Sequence, residues 1–497
     1  MTTLADIDDE RGPLTVADPV GARASQPCEL LAHLETVAAS MPNRVALVSR
    51  GEGARASFGQ LLDDIDRLAE RVPCRAGEPV ALATGNSLAF CTLFFALRRR
   101  GVPVVTLDAG LEPAAKAHTC RRLGIPLLLD SDGEIVLDAE RGVIDSQRIT
   151  VGGTADVRAR RLAVDPVCPP SDIALIKLTS GSTGEPTGAC FTAASLLAGI
   201  RQIGAGMKLD AGNVVLVVIP LSHSYGFDNG ILSLAVLGTP LVLEPSIYPV
   251  AILRALRDSD ADVLPVVPPL VRSLGQTAWA GVTALDKVMC AGGVLRPEAA
   301  RAFHQASGRH VHNFYGSTET GGISFESSPG TAEACGTVGH PLPGVRIELG
   351  EDGRVEVYSA ANLDGRFDDR GFHSADVDAG VATGDLGAWT GEGRLRLIGR
   401  SSDLLNIGGR RIATATVEKA LLALDGVSEA AVVGIDDEVR GQRTVAFLVA
   451  DHWPVSVRGL LPHVAPREVR RIQALPFTER GKLDRARLRY LASRERS

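Results

Sequence analysis

The residues most able to do chemistry lie in five short segments. The first is Leu178-Thr-Ser-Gly-Ser-Thr-Gly-Glu-Pro-Thr-Gly188, where glycines alternate with hydroxyl side chains after a run that reads as a strand. Glycines let backbone N–H groups turn inward and Ser/Thr hydroxyls add donors, so such a loop can cradle a phosphate chain. It lacks the Gly-Lys-Ser/Thr of a Walker loop, and taken alone it reads equally well as a plain surface loop. The other four segments are Asn313-Phe-Tyr-Gly-Ser-Thr-Glu-Thr320, Thr383-Gly-Asp385, Gly399-Arg-Ser-Ser-Asp-Leu-Leu-Asn-Ile-Gly-Gly-Arg-Arg-Ile412 and Leu475-Pro-Phe-Thr-Glu-Arg-Gly-Lys-Leu-Asp-Arg485. Each has a bland reading: Thr318-Glu319 as a helix cap, Asp385 as a turn residue, Arg400 as an ion-pair partner, and Lys482 as a solvated turn lysine.

In this order the five segments resemble the adenylate-forming superfamily of acyl-CoA synthetases, aryl-acid ligases, luciferases and peptide-synthetase adenylation domains. The resemblance runs from about Ala38 to the C-terminus. It implies ATP-dependent activation of a carboxylic acid as acyl-AMP with pyrophosphate release. Transfer to a thiol follows, either CoA or the phosphopantetheine of a separate carrier protein. It implies that Thr179, Ser180, Gly181, Ser182, Thr183 and Gly184 hold the ATP phosphates, and that Gly292, Gly293, Tyr315, Gly316 and Ser317 form the nucleotide site. Thr318 would bond the α-phosphate, Glu319 would hold Mg²⁺, Asp385 would accept from the ribose hydroxyls, and Arg400 would reach the ribose or phosphates. Lys482 would offset charge as the carboxylate attacks the α-phosphate.

The same resemblance makes Pro220-Leu-Ser-His-Ser-Tyr-Gly-Phe227 a gate and acyl-pocket segment, with His223 at the gate and Tyr225, Asp228 and Asn229 along the pocket. Ser402 and Asp403 fall at the hinge, where relatives commonly have Asp or Lys at the first position. Gly408 and Gly409 would line a tunnel for the thiol arm. One departure concerns the phosphate loop, which in the family usually ends Pro-Lys-Gly. Here it ends Pro186-Thr187-Gly188, so the charge that helps hold the outgoing pyrophosphate is missing and slower or weaker ATP use is expected. Asp228 has two readings: a partner for an amino group on the substrate, or the cap of a helix beginning there.

Two other functions stay open at this level. One is adenylation of a non-carboxylate acid such as nitrite for coupling to an amine. The other is a nucleotide-binding module without turnover, against which Lys482, Asp385 and Glu319 argue. Gly85-Asn-Ser-Leu-Ala89 loosely matches a nucleophile elbow, but a helix cap at Asn86 or Ser87 explains it better. His310 and His312 could share a strand face, with no nearby cluster to complete a metal site.

The elements that must position these residues alternate β and α. Apolar runs at Val45–Val48, Val80–Thr84, Val102–Leu107, Ile173–Leu178, Val214–Ile219, Leu241–Leu243, Val263–Val267, Lys287–Ala291 and His310–Tyr315 read as strands. Helical stretches separate them, including 58–72 and 87–100. The expected class is α/β: a large N-terminal body of doubly wound, mostly parallel sheets with a small β-barrel-like part after about Gly336, then a small mobile α+β domain. The expected division is 1–399 and 400–497. The first 45 residues lack strong patterning.

Length and composition agree with this reading. The chain has 497 residues, 45% of them hydrophobic, with 52 Lys and Arg against 59 Asp and Glu and a net charge of −7. That leaves ample apolar surface for a core and no electrostatic footprint for nucleic acid. Eight scattered cysteines suit reduced thiols. Neither a leader-like start nor a run long enough to cross a membrane is legible, so a cytoplasmic, stand-alone enzyme is the expectation, of unspecified oligomeric state.

Overall fold

The structure, a computed structural model, describes residues 28–131, 143–153, 155–180, 186–334, 336–376, 378–401, 404–407, 410–437, 441–453, 455, 466–477 and 483–493. Among these residues four sheets form, in the α/β arrangement expected, and within the two large sheets the parallel pairing is confined to the middle.

The first sheet has nine strands, in the order His340–Pro341, Gly321–Phe325, Val311–Ser317, Lys287–Cys290, Val263–Val266, Val215–Val217, Leu241–Leu243, Val45–Ser49, Ala54–Ser57. Its centre is parallel and its edges are antiparallel hairpins. The second, also nine-stranded, runs Gly371–Ser374, Gly365–Asp368, Pro186–Thr192, Ile173–Ser180, Val104–Thr106, Val80–Ala83, Leu127–Asp130, Ala155–Leu162, Val143–Val151. Strands Ile173–Ser180 and Pro186–Thr192 form an antiparallel hairpin around the glycine-rich loop. A strand not named from the sequence, Pro186–Thr192, therefore precedes the expected helix, Ala193–Met207.

One core joins the two large sheets. It includes Leu47, Val215 and Leu241 from the first, and Val80, Leu82, Val104 and Leu175 from the second. Helices Phe58–Arg71, Leu88–Arg99 and Ala193–Met207 fill the space between them. Leu88–Arg99 is buried almost end to end, which suits its apolar sequence. Phe58–Arg71 starts where the sequence predicts: Ser57 and Gln60 form a reciprocal capping box. Separate cores cover the outer faces. Helices Pro249–Arg257, Pro268–Leu274 and Pro297–Ser307 back the first sheet, and Pro113–Arg122 backs the second.

The small β part is a four-stranded antiparallel sheet, Arg346–Leu349, Arg354–Tyr358, Val381–Trp389 and Leu395–Arg400. The fourth sheet begins at Leu404–Ile407 and includes Arg410–Ala413, Gly441–Ala450 and Val427–Asp437, with Glu468–Arg471 parallel to Gly441–Ala450. Helices Thr414–Leu422 and Arg485–Ser493 pack on it. One early expectation fails. Residues Glu29–Ser40 form a helix that buries Leu30, Leu31, Leu34 and Ala38, a stripe spaced for one helix face that packs into the shared core.

Candidate active site

The site takes shape at the ends of the second sheet's strands, facing the first. Pairings across five strands set one row: Leu82 opposite Thr106, Thr106 opposite Lys177, Lys177 opposite Ala189, and Ala189 opposite Arg366. One step toward the loop, Thr179 pairs with Thr187, and the two hydroxyls lie 3.1 Å apart. Thr187 thus stands where the usual loop lysine would, bonded to its hairpin neighbour. Ser180 ends the first hairpin strand. Gly181, Ser182, Thr183 and Gly184 lie outside the described residues.

Above this row runs the segment containing His223. Thr106 Oγ1 donates to the Ser222 carbonyl at 3.0 Å. Asn86 holds the turn before it, donating to the Ile219 carbonyl at 3.2 Å and accepting from Leu221 N–H at 2.8 Å. Ser87, not Asn86, caps the following helix, through Phe90 N–H at 3.0 Å, so the elbow-like sequence is a cap plus a clamp. His223 occupies the N-cap of the short helix Ser224–Phe227, and its Nε2 lies 3.6 Å from Asp108 Oδ2. Gly226 cannot carry a side chain: a Cβ there would stand 2.2 Å from the Pro220 carbonyl oxygen. The turn then widens into a π-helix over Asp228–Leu237, a rare geometry that recurs at functional sites.

The residues expected along the pocket are already engaged within the fold. Tyr225 OH donates to the Met289 carbonyl at 2.8 Å, and burial pushes that phenol well above its ordinary pKa. Asn229 Nδ2 donates to the Tyr225 carbonyl at 3.0 Å. Asp228 does not cap the start of the helical run beginning there, nor does it stand open to an amine. It sits within the helical run, and its Oδ1 accepts from Lys177 Nζ at 2.6 Å. Both side chains are buried, 3% and 9% exposed, and Lys177 Nζ lies 4.9 Å from the centre of the Phe191 ring and 5.6 Å from that of Phe227. A buried carboxylate needs a paired cation. The signal for Lys177 was a lone charge in the apolar run Ile-Ala-Leu-Ile-Lys-Leu.

The first sheet contributes a hairpin. Strands Val311–Ser317 and Gly321–Phe325 close on Thr318-Glu319-Thr320, with Gly321 at φ +65°, so Thr318 and Glu319 sit at a hairpin tip and not at a helix cap. A Cβ on Gly316 would meet the Gly321 carbonyl oxygen at 2.6 Å. Ser317 and Thr320 hydroxyls lie 3.0 Å apart. From the same hairpin, Tyr315 OH donates to Asp385 Oδ2 at 2.8 Å and lies 2.9 Å from Thr383 Oγ1. Burial, followed by the Asp385 charge, raises the Tyr315 pKa. The other Asp385 oxygen accepts from Arg400 Nε at 2.9 Å, the two residues being directly opposite on neighbouring strands. Gly292 follows the Lys287–Cys290 strand at φ +82°, with Gly293 next to it.

Glu319 is the least satisfied acid of the set. Its side chain is 26% exposed and faces Arg366 Nη1 at 3.9 Å. Among the described residues no group of three or more His, Cys, Asp or Glu is placed to hold a metal. His310 stacks on His304 at 4.1 Å, and His312 Nδ1 lies 3.0 Å from the Glu326 carbonyl. A single, partly exposed carboxylate fits Mg²⁺, which binds through one or two carboxylates plus phosphate oxygens. The seven described cysteines are free, and burial pushes Cys120 and Cys190 up to about 12, so neither is a ready nucleophile. Ser402, Asp403, Gly408, Gly409 and Lys482 lie outside the described residues. Sequence reasoning missed Lys177 and Arg366, the latter of which carries no local signal, and took Asn86 only as a possible cap.

Comparison with known proteins agrees with this architecture. Residues 34–359 match the family described as AMP-binding enzyme, and residues 416–482 match the AMP-binding enzyme C-terminal domain. The chain is 27% identical to the 3-[(3aS,4S,7aS)-7a-methyl-1,5-dioxo-octahydro-1H-inden-4-yl]propanoyl:CoA ligase of Mycobacterium tuberculosis, over 93% of this chain and 98% of that protein. It is 28% identical to the sulfoacetate–CoA ligase of Cupriavidus necator, over 92% and 97%. In fold it is similar to ATP-bound MatB from Rhodopseudomonas palustris, at 20% identity, TM-score 0.76, and 93% and 99% coverage. With its glycine-rich hairpin, its Tyr315–Asp385–Arg400 cluster and both domain matches in chain order, this chain belongs to the AMP-binding enzyme family of adenylate-forming ligases.

Proposed function

We propose that this ligase uses ATP to activate a small-molecule carboxylic acid as acyl-AMP, releases pyrophosphate, and passes the acyl group to a thiol. The observation that carries the reading is the hairpin Val311–Phe325. Tyr315 on one strand fixes Asp385, whose other oxygen meets Arg400, and the tip presents Glu319 toward the Thr179–Thr187 hairpin's sheet. The carboxylate proposed to bind the sugar is thus hydrogen-bonded to the same hairpin that carries, at its tip, the carboxylate proposed to bind the metal.

Asp385 and Arg400 bind the ribose and Thr318 the α-phosphate. Thr179 and the loop that follows hold the outer phosphates, and Gly292-Gly293 leave room for the adenine and acyl group. Glu319 would hold Mg²⁺, which when bound would neutralise phosphate charge. Lys482 is the adenylation lysine and His223 the gate. Asp228 serves the pocket as wall and not as an amine acceptor, since Lys177 already balances its charge. The body spans 1–399 and the lid 400–497, a division supported by the change of sheet between Leu395–Arg400 and Leu404–Ile407. Ser402 and Asp403 form the hinge, and Gly408-Gly409 the thiol path. The two sequence relatives named above are CoA ligases, which favours CoA over a separate carrier protein as acceptor. No described helix is long and apolar enough to cross a membrane.

The test is acid-dependent pyrophosphate release over a panel of carboxylic acids, with mass spectrometry of products formed with CoA. Release that requires Mg²⁺ and is lost in Lys482→Ala supports the reading. Release without an acid, or none with any acid, defeats it.

A further inference from the structure

We propose that Arg366 supplies the cation for the outer phosphates of ATP, and for the pyrophosphate that leaves, which the loop lacks at Thr187. The inference rests on the reading of the site as an ATP site and adds to it a residue with no counterpart in the five segments.

The geometry carries it. Arg366 stands directly opposite Ala189, so its side chain leaves the same sheet face as Lys177, Thr179 and Thr187. Thr187 is its diagonal neighbour, roughly 7–8 Å away by backbone geometry and within reach of a long side chain. The strand is anchored at its start. Asp364 N–H donates to the Cys190 carbonyl at 2.8 Å, and the Asp364 carboxylate accepts from Thr192 N–H and Ser195 Oγ, both at 2.7 Å. Leu363 N–H donates to the Glu319 carbonyl at 2.7 Å, which ties the strand to the hairpin tip. Arg366 therefore has a fixed origin between the loop's end and the acid proposed to hold the metal.

Its charge is also uncommitted. The side chain is 51% exposed, and among the described residues its ionic partner is Glu319, at the long distance of 3.9 Å. A loose, solvated pair of this kind contributes little, so the guanidinium can turn to a phosphate at small cost. The other nearby cations are spent. Lys177 is bonded to Asp228 and buried. Arg122 belongs to the helix on the opposite face of the sheet, where it donates to the Pro186 carbonyl. Asp368, the acid two residues beyond Arg366, accepts from Arg370 N–H at 2.8 Å and lies 3.1 Å from His373 Nε2. Arginine's planar fork matches two phosphate oxygens, which a threonine hydroxyl cannot do.

The test is direct binding by calorimetry, with no acid present. Mg·ATP, pyrophosphate and AMP are titrated into the full chain, Arg366→Ala, Arg366→Gln and Arg366→Ala/Thr187→Lys. Loss of one charge-assisted contact should weaken Mg·ATP and pyrophosphate about tenfold to a hundredfold. AMP should bind as before, and Thr187→Lys should recover most of the loss. Unchanged Mg·ATP affinity in both single variants overturns the proposal, as does an equal loss for AMP, which marks a purely structural role. If the unaltered chain binds AMP and Mg·ATP not at all, the ATP-site reading itself falls, a result distinct from either of those.

Discussion

Two acid–base pairs on the same sheet face behave as opposites. Lys177 and Arg366 share one cross-strand row, separated only by Ala189. Lys177 meets Asp228 at 2.6 Å in a dry, aromatic-walled position, whereas Arg366 meets Glu319 at 3.9 Å at the edge of solvent. Burial makes the first pair obligatory, since either charge alone would face a low-dielectric interior. Exposure leaves the second weak and exchangeable. The first therefore holds the start of the π-helix in place, and the second is available to a ligand.

The largest effect should come from breaking the closed pair on one side. Lys177→Met should lower stability by about 3–5 kcal/mol in a urea titration. Adding Asp228→Leu should recover most of that, because removing both charges removes the uncompensated one. If the single variant is as stable as the original, the contrast between the pairs collapses.

Gly226→Ala tests whether the closed pair depends on the turn that precedes Asp228. With a Cβ forced to 2.2 Å from the Pro220 carbonyl oxygen, we expect about 1–3 kcal/mol of destabilisation and loss of acid-dependent turnover. A variant of full stability and activity would show that the His223 segment does not need its present path.

Tyr315→Phe removes the hydroxyl that Asp385 accepts from. About 1 kcal/mol of stability should go, and AMP and ATP affinity should fall by the same factor, unlike the outcome for Arg366. A loss confined to ATP would place Tyr315 with the phosphates instead.

The smallest stability effect should belong to the open pair. Glu319→Gln should change stability by less than about 0.5 kcal/mol while raising the Mg²⁺ concentration needed for turnover. An unaltered Mg²⁺ requirement would remove Glu319 as the metal ligand, and a large destabilisation would make its pair with Arg366 structural after all.

Much of the scaffold was readable because it is local. Ser57 and Gln60 announce a helix start through their own backbone, and apolar periodicity from Phe58 to Arg71 fixes its buried face. The helix Glu29–Ser40 was passed over although its leucines are correctly spaced, because its stability comes from a core assembled by strands far along the chain. The mostly parallel expectation held only at the centres of the large sheets, since a strand pattern does not reveal antiparallel pairs such as Ile173–Ser180 with Pro186–Thr192.

Residue types and their order were enough to assign the family, and with it the α/β class. They also located Tyr315, Glu319, Asp385 and Arg400 as candidates and exposed the missing charge at Thr187. Which charges are spent was settled by packing alone. Asp228 and Lys177 are 51 positions apart, and nothing local links them. Arg366 and Glu319 meet because a strand of the second sheet and a hairpin of the first end at the same cleft. Whether an ionisable side chain is a strut or a ligand depends on its burial and on its nearest opposite charge, and both are properties of the folded chain, not of the residue.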